Sequence, residues 1–367
     1  MILSDVALYR YDLPLTTPLQ FSDAEMRWRT GLLVRIVTEE GTAGWGDAAP
    51  LPDFSTETPS DVIDSARDAF SGWPGTRIPV SETSLDDTLR MAPLHAESPP
   101  SLRFAVESAV VELVAQKKGV AVPDVLGPAR ATVHLNALLT HSDAAEGPSE
   151  AVALQKAGYR ALKVKVGRAA VEDDIARIRA IQEALDPSVA LRLDANRHWS
   201  WDQAVTFAEG LSGESLAYVE EPLADPELQG RLAAETGLPV ALDETTRETA
   251  PSVLRDRPNV SAIVLKPTLL GGLRCTQEWV EAARATHTTP VLSASYESGV
   301  GLRMLVALAS AGPETPAGLS TYDRLAADVY APRLPLTGPT VDVASVWASS
   351  EARIDWDRLT LVDRFSQ

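Results

Sequence analysis

Along the second half of the chain, short apolar runs alternate with longer stretches whose apolar residues recur at helical spacing. The runs fall at residues 133–138, 161–166, 190–195, 217–221, 240–243, 262–266 and 291–295, with a weaker one at 317–321. Between them, residues 172–185, 201–211, 273–286 and 302–311 carry the three-and-four periodicity of helices that bury one face. Repeated strand–helix units predict parallel strands joined by right-handed crossovers, and their number fits a closed TIM-type barrel. An open doubly wound sheet is the alternative, but no glycine-rich nucleotide loop follows the first strand.

The N-terminal part patterns differently. Residues 6–13, 31–38 and 41–49 read as strands, and residues 59–72 and 102–117 as helices. Residues 73–100 are rich in Pro, Ser and Thr and read as loop around a short helix. Residues 16–30 are polar, with Phe21 and Trp28 scattered among them, which suits a mobile loop over a site. Pro123, Gly127 and Pro128 then break the pattern. The expected organisation is an α+β capping domain over residues 1–125, with mobile loop 16–30. A barrel of the modified (β/α)7β form follows over residues 126–330. Residues 331–367 are expected to pack back on the cap.

Composition narrows the function classes. The chain has 367 residues, is 45% hydrophobic and carries a net charge of −18. That charge argues against nucleic-acid partners and anionic membranes. The single Cys275 cannot form an internal disulfide. No basic start with an apolar run opens the chain, and no apolar stretch is long enough to span a bilayer. The expectation is a cytoplasmic protein acting on a small molecule.

The chemistry is concentrated at the ends of the predicted barrel strands. In order they offer Lys163 and Lys165, Asp194 with Asn196, Glu220 with Glu221, Asp243 with Glu244, Lys266, and Ser293 with Ser295. A single strand-end Asp is most often a helix N-cap. Successive apolar strands all ending in acid or base are another matter, because each buried charge costs several kcal/mol of hydration unless paired. Catalytic groups of such barrels sit at this end.

Lysine is scarce, six residues among 33 Lys plus Arg, yet two of the six share one strand face. Lysine can lose its proton and arginine cannot, so a working base would have to be Lys. Two ammonium groups side by side are expected to lower each other's pKa. Asp194, Glu220 and Asp243 offer three hard oxygen ligands, a set that suits Mg²⁺, with Mn²⁺ able to substitute, better than Zn²⁺. Lys165 and Lys266 would face each other across the mouth, with a metal-bound carboxylate substrate between them.

These motifs resemble the enolase superfamily, whose pairing of a Lys or His base with Mg²⁺ is itself a familiar pattern. The resemblance spans nearly the whole chain. It rests on Gly44-Trp-Gly-Asp-Ala-Ala-Pro-Leu-Pro-Asp-Phe-Ser-Thr-Glu-Thr58, Lys163-Val-Lys165, Leu193-Asp-Ala-Asn196, Val219-Glu-Glu-Pro222, Leu242-Asp-Glu-Thr245, Leu265-Lys-Pro267 with Gly271-Gly272, and Ser293-Ala-Ser-Tyr-Glu-Ser-Gly299. Paired lysines without a His at the seventh strand end are similar to the muconate-lactonizing subgroup. Within it, the Trp45-to-Ser55 segment preceded by Arg29-Thr-Gly-Leu-Leu-Val resembles the o-succinylbenzoate synthase family most.

The resemblance implies dehydration of 2-succinyl-6-hydroxycyclohexa-2,4-diene-1-carboxylate in menaquinone synthesis. Lys165 would take the proton beside the carboxylate, Lys163 would tune it, and Lys266 would stabilise the enediolate from the other face. Asp194, Glu220 and Asp243 would hold the metal, with Glu221 and Glu244 in supporting positions. The same machinery would serve an N-succinylamino acid racemase or a dipeptide epimerase. Ser293, Ser295, Arg27 and Arg29 are candidates for binding the substrate; the serines either meet its distal carboxylate or merely end a strand. Asn196 is either a helper to the metal or a turn residue, and His134 and His198 are read as structural. Residues 319–329 depart from the synthase pattern, which bears on the substrate tail. Two other classes stay open, a Schiff-base aldolase using Lys266 and a barrel that only binds a small acid.

Overall fold

The computed structural model describes residues 1–20, 25–80, 84–90, 94, 97–140, 146–211, 216–348 and 353–366. The N-terminal cap is a four-stranded antiparallel sheet in the order β13-β1-β2-β3. Its strands are β1 (Leu3–Gln20), β2 (Glu25–Thr38), β3 (Ala43–Ala48) and, from the far end of the chain, β13 (Thr360–Ser366). Helices α1 (Pro59–Phe70), α2 (Leu85–Arg90), α3 (Pro100–Lys118) and α4 (Val122–Leu126) complete this part.

The start of α1 is written locally. The Thr58 hydroxyl accepts from the Asp61 N–H while the Asp61 carboxylate accepts from the Thr58 N–H, a reciprocal cap. Its face of Val62, Ala66 and Phe70 is buried. Helix α3 is buried along most of its length because it lies between the sheet and the barrel. It approaches β3 so closely that a Cβ on Gly44 or Gly46 would overlap the carbonyl oxygens of Ala109 or Ala105.

The barrel is a seven-stranded parallel sheet in sequential order. It runs through β5 (Ala137–Leu138), β6 (Ala161–Lys165), β7 (Ala190–Asp194), β8 (Tyr218–Glu220), β9 (Val240–Leu242), β10 (Val260–Leu265) and β11 (Thr289–Leu292). Helices α5 (Gly147–Lys156), α6 (Val171–Ala184), α7 (Trp201–Gly210), α8 (Gln229–Thr236), α9 (Glu244–Glu248), α10 (Val253–Asp256), α11 (Pro267–Leu270), α12 (Leu273–Thr286) and α13 (Gly299–Ala311) fill the connections. Closure comes from residues 317–318, where Ala317 bridges Leu135 and Gly318 bridges Ser293, both in parallel sense. The eighth strand is therefore a two-residue splice, shorter than the 317–321 run in the sequence. Ser320–Arg324 turns away as a single 3-10 helix. This is a modified TIM barrel. Outside it, β4 (Thr132–His134) pairs with β12 (Thr340–Asp342), which leads into α14 (Val343–Trp347).

Residues 16–30 differ from the expected loop. Apart from residues 21–24, which lie outside the described residues, they form the far end of the β1–β2 hairpin. Pairing slips between Pro14 and Leu19 and resumes at Leu19↔Met26 and Gln20↔Glu25. A mostly polar, exposed two-stranded ribbon, whose Thr16, Leu19 and Gln20 border the cavity at the strand ends, lacks the apolar alternation that marks a strand in sequence. The hairpin is tied to the barrel, since Leu15 bridges Leu325 and the Ala326 N–H donates to the Pro14 carbonyl. Among the described residues no helix is long and apolar enough to cross a membrane.

Candidate active site

The two-residue period of a strand builds the site. In β6 it sends Leu162 and Val164 outward into a buried layer against the helices and turns Lys163 and Lys165 toward the barrel axis. Parallel register then aligns Lys165 with Asp194 and Asp194 with Glu220 across β6, β7 and β8, with Lys163, Arg192 and Tyr218 one layer deeper. Asp243 follows β9 and Lys266 follows β10. All of these residues line one cavity of about 1080 Å³ between the C-terminal ends of the strands and the cap.

Each carboxylate is met by an ammonium. Lys163 Nζ lies 2.8 Å from Asp194 and 2.5 Å from Glu220. Lys165 Nζ donates to Asp194 Oδ2 and to Asn196 Oδ1, both at 2.6 Å. Lys266 Nζ reaches Asp243 Oδ2 at 2.5 Å. The expectation that the two β6 lysines lower each other's pKa does not hold for Lys163. Burial works against its charge, but the fields of Asp194, Glu220 and Asp243 outweigh burial and hold its pKa well above the ordinary value. Burial also opposes the Asp194 carboxylate, yet Lys163 and Lys165 drive its pKa far below the usual range.

The acids further along are short of positive charge. Burial pushes Glu220 up to about 7, Lys163 offsetting only part of it while Asp194 and Asp243 add to it. Burial and the Asp243 charge likewise push Glu244 up to about 7, against the pull of Lys266. Among the described residues Asp243 Oδ1 and Glu244 Oε2 are buried without a hydrogen-bond partner, which in a native site calls for a missing partner. Hard oxygen donors, excess carboxylate and orphaned buried oxygens together fit a divalent cation such as Mg²⁺. In this conformation the acids are turned onto lysines, and among the described residues no three Asp, Glu, His or Cys side chains converge as a ligand set.

Other residues singled out in the sequence are placed unevenly. Ser293 and Ser295 line the cavity; the Ser293 hydroxyl donates to the Gly318 carbonyl, while the buried Ser295 Oγ has no partner among the described residues. Arg27 is exposed, pairs with Glu25 and does not line the cavity. Arg29 does not line it either: it is 1% exposed and spends its guanidinium on backbone carbonyls. A buried donor set already saturated by carbonyls has nothing left for a substrate. Asn196 is drawn to the site through Lys165 and, at 3.3 Å, Glu244. Glu221 points out of the cavity and accepts from the N–H groups of Asp243 and Thr245 and from Arg197. Glu244, read as supporting, lines the cavity itself, as does the exposed His198; His134 does not.

Sequence reasoning missed several cavity residues. Arg192 sits on β7 two positions before Asp194, so the strand period alone could have found it. Phe54, whose ring lies 5.7 Å from Lys266 Nζ, and Tyr296 lie inside the quoted motifs but carry no charge to draw the eye. Arg247 and Arg324 come from α9 and the 3-10 turn, where spacing gives no signal.

Residues 148–345 match the family model described as "Enolase C-terminal domain-like", and residues 3–113 match "MenC, N-terminal domain". The o-succinylbenzoate synthase of Pectobacterium atrosepticum is 34% identical over 333 residues, 88% of this chain and 92% of that protein. Among solved structures, a member of the enolase superfamily from Roseovarius nubinhibens aligns with a TM-score of 0.84 at 19% identity, covering 100% of this chain and 99% of that one. A dipeptide epimerase from Enterococcus faecalis, complexed with Mg and L-Leu-L-Tyr, aligns with a TM-score of 0.81 at 22% identity over 93% and 97% of the two chains. At these identities the structural likenesses speak to the fold.

Proposed function

Because this chain belongs to the o-succinylbenzoate synthase family of the enolase superfamily, a family of lyases, we propose that it dehydrates 2-succinyl-6-hydroxycyclohexa-2,4-diene-1-carboxylate to 2-succinylbenzoate. The observation that carries this reading is the pair of lysines, Lys165 and Lys266, on opposite arcs of one cavity with Asp194, Glu220 and Asp243 between them.

Lys165 is the base. Its side chain is 40% exposed toward the cavity, against 20% for Lys163 and 15% for Lys266, so it can reach a proton on bound substrate. Asp194 and Asn196 aim its nitrogen. Lys163 stays charged beside Asp194 and Glu220 and adds positive potential near the substrate carboxylate. Lys266, roofed by Phe54, supplies a second fixed positive charge on the far face. Asp194, Glu220 and Asp243 would hold Mg²⁺, which supplies Lewis-acid stabilisation of the charge that gathers on the substrate carboxylate. Lys165 takes the proton from the ring carbon, the C–H electron pair becomes the new ring double bond as the neighbouring C–O bond breaks, and the hydroxyl leaves with that proton as water, which restores the free amine of Lys165.

Loss of the substrate's diene absorbance on addition of purified protein and Mg²⁺ tests the reading; no loss at any protein concentration would overturn it. Alanine at Asp194, Glu220 or Asp243 is expected to abolish that loss, and a chelator to do so reversibly. Full activity in excess chelator would refute the metal assignment. A second reading, racemisation of N-succinylamino acids or epimerisation of dipeptides, is favoured by the same two opposed lysines, one for each face of a carbon. Running both compound types in the assay separates the two.

A further inference from the structure

We infer that Arg29 is a positioning residue that locks the cap to the barrel on the Lys266 side of the cavity, because its one guanidinium ties together the two backbone segments that carry Phe54 and Tyr296. The inference rests on the proposed function only for its activity readout.

A guanidinium has five N–H donors in a rigid fork. Arg29 spends all five on carbonyls. Nε donates to Tyr296 O at 2.9 Å; one terminal nitrogen donates to Thr30 O at 2.9 Å and Pro50 O at 2.6 Å; the other donates to Ala49 O at 2.5 Å and Ser295 O at 3.3 Å. Thr30 belongs to its own strand, residues 49–50 to the cap loop that leads to Phe54, and residues 295–296 to the barrel after β11. The side chain is buried, so these bonds are shielded from water.

Both segments end at the chemistry. On the cap side, Phe54 lies over Lys266, and its carbonyl accepts from Arg247. On the barrel side, Tyr296 lines the cavity at φ +63°, a left-handed conformation that is strained for a non-glycine residue and persists only where surroundings enforce it. Arg29 bonds the carbonyl of that residue, and Glu297 accepts from the Ser295 N–H just before it at 2.6 Å. Lysine could not replace the fork, having three donors on one nitrogen. A displacement of about 1 Å at a reacting group can cost on the order of a hundredfold in rate, which gives this buried arginine leverage on turnover without touching substrate.

The test compares Arg29→Lys and Arg29→Ala with the wild-type chain, loaded with Mg²⁺, in two readouts. Amide hydrogen exchange is expected to accelerate at least about tenfold at residues 49–55 and 293–298 together, while residues 161–165 keep wild-type protection. Turnover of the cyclohexadiene acid is expected to show kcat at least tenfold lower with KM within about threefold, partly restored in Arg29→Ala by millimolar guanidinium. Should Arg29→Ala fail to fold, Arg29→Lys carries the comparison. Faster exchange in the cap segment alone, or a loss of kcat no larger than the loss of folded protein, overturns the inference. If the wild type does not turn over that acid, the functional reading fails while the exchange readout still decides the role of Arg29.

Discussion

Lys165 and Lys266 both follow or end a barrel strand and both meet an aspartate, yet their surroundings differ, and the proposed function gives them different work. Lys165 is open to the cavity and held by Asp194 and Asn196, whereas Lys266 sits under Phe54 against Asp243. Arginine at position 165 keeps the charge but cannot give up a proton near neutral pH. Lys165→Arg is therefore expected to lower dehydration by about 10²–10⁴-fold, the usual loss of a positioned base. Lys266→Arg keeps the fixed positive charge and is expected to be milder for dehydration, but severe for a racemisation that needs a base on each face. Rates of both variants on both compound types decide it, and near-normal dehydration by Lys165→Arg would remove Lys165 as the base. At this scale strand-end charge in the sequence marked several residues that line the cavity, Asp194, Glu220, Asp243 and Lys266, though not Glu221, which stands at a strand end and turns away. The sequence was uninformative for Arg29, because a buried arginine bonded to carbonyls looks in sequence like any surface arginine.

Among the elements, α3 carries more of the architecture than its sequence announces. It lies against β3, sends Glu107 to the start of α12, and through Glu112 joins the Trp45 N–H of β3 to Arg303 of α13. The glycines of Gly44-Trp-Gly46 make the first contact possible, since any Cβ there would run into the α3 backbone. Gly46→Ala must push the helix off the sheet, and overpacking of this kind costs about 1–3 kcal/mol. A clear fall in the melting midpoint, several-fold larger than for an alanine at the unobstructed Gly72, is the expected outcome; equal midpoints would show that the helix can yield. Elements with a strong internal period were legible, and α12 runs over the residues its periodicity marks. Elements defined by a distant partner were not. β13 reads as strand only because β1 lies beside it, as in Val6↔Phe365, and the barrel closes through a two-residue bridge too short to leave a pattern.

Over the whole molecule, cap and barrel are joined by buried cap carboxylates that reach the barrel helices. Asp47 accepts from the N–H and hydroxyl of Ser298 at the start of α13, and Glu107 accepts from the N–H groups of Leu273 and Arg274 at the start of α12. Burial pushes Asp47 up to about 6 and Glu107 up to about 7, the latter despite the Arg274 and Leu273 N–H bonds and the charges of Arg274 and Arg103. Between the ordinary carboxylate range and pH 7 the folded Glu107 keeps a proton that the unfolded chain has released. Stability from this group is therefore greatest below that window and declines as pH rises through it. Glu107→Gln keeps an acceptor for the two N–H groups but cannot ionise. The variant is expected to gain on the wild type by about 2–3 kcal/mol between pH 4.5 and pH 8, the free energy of a shift of that size. Urea unfolding of both proteins across that range measures the difference directly, since every other titrating group is common to the two curves. Parallel curves would mean that Glu107 titrates alike in the folded and unfolded chain, the α12 N-terminus fully offsetting the cost of burying its charge.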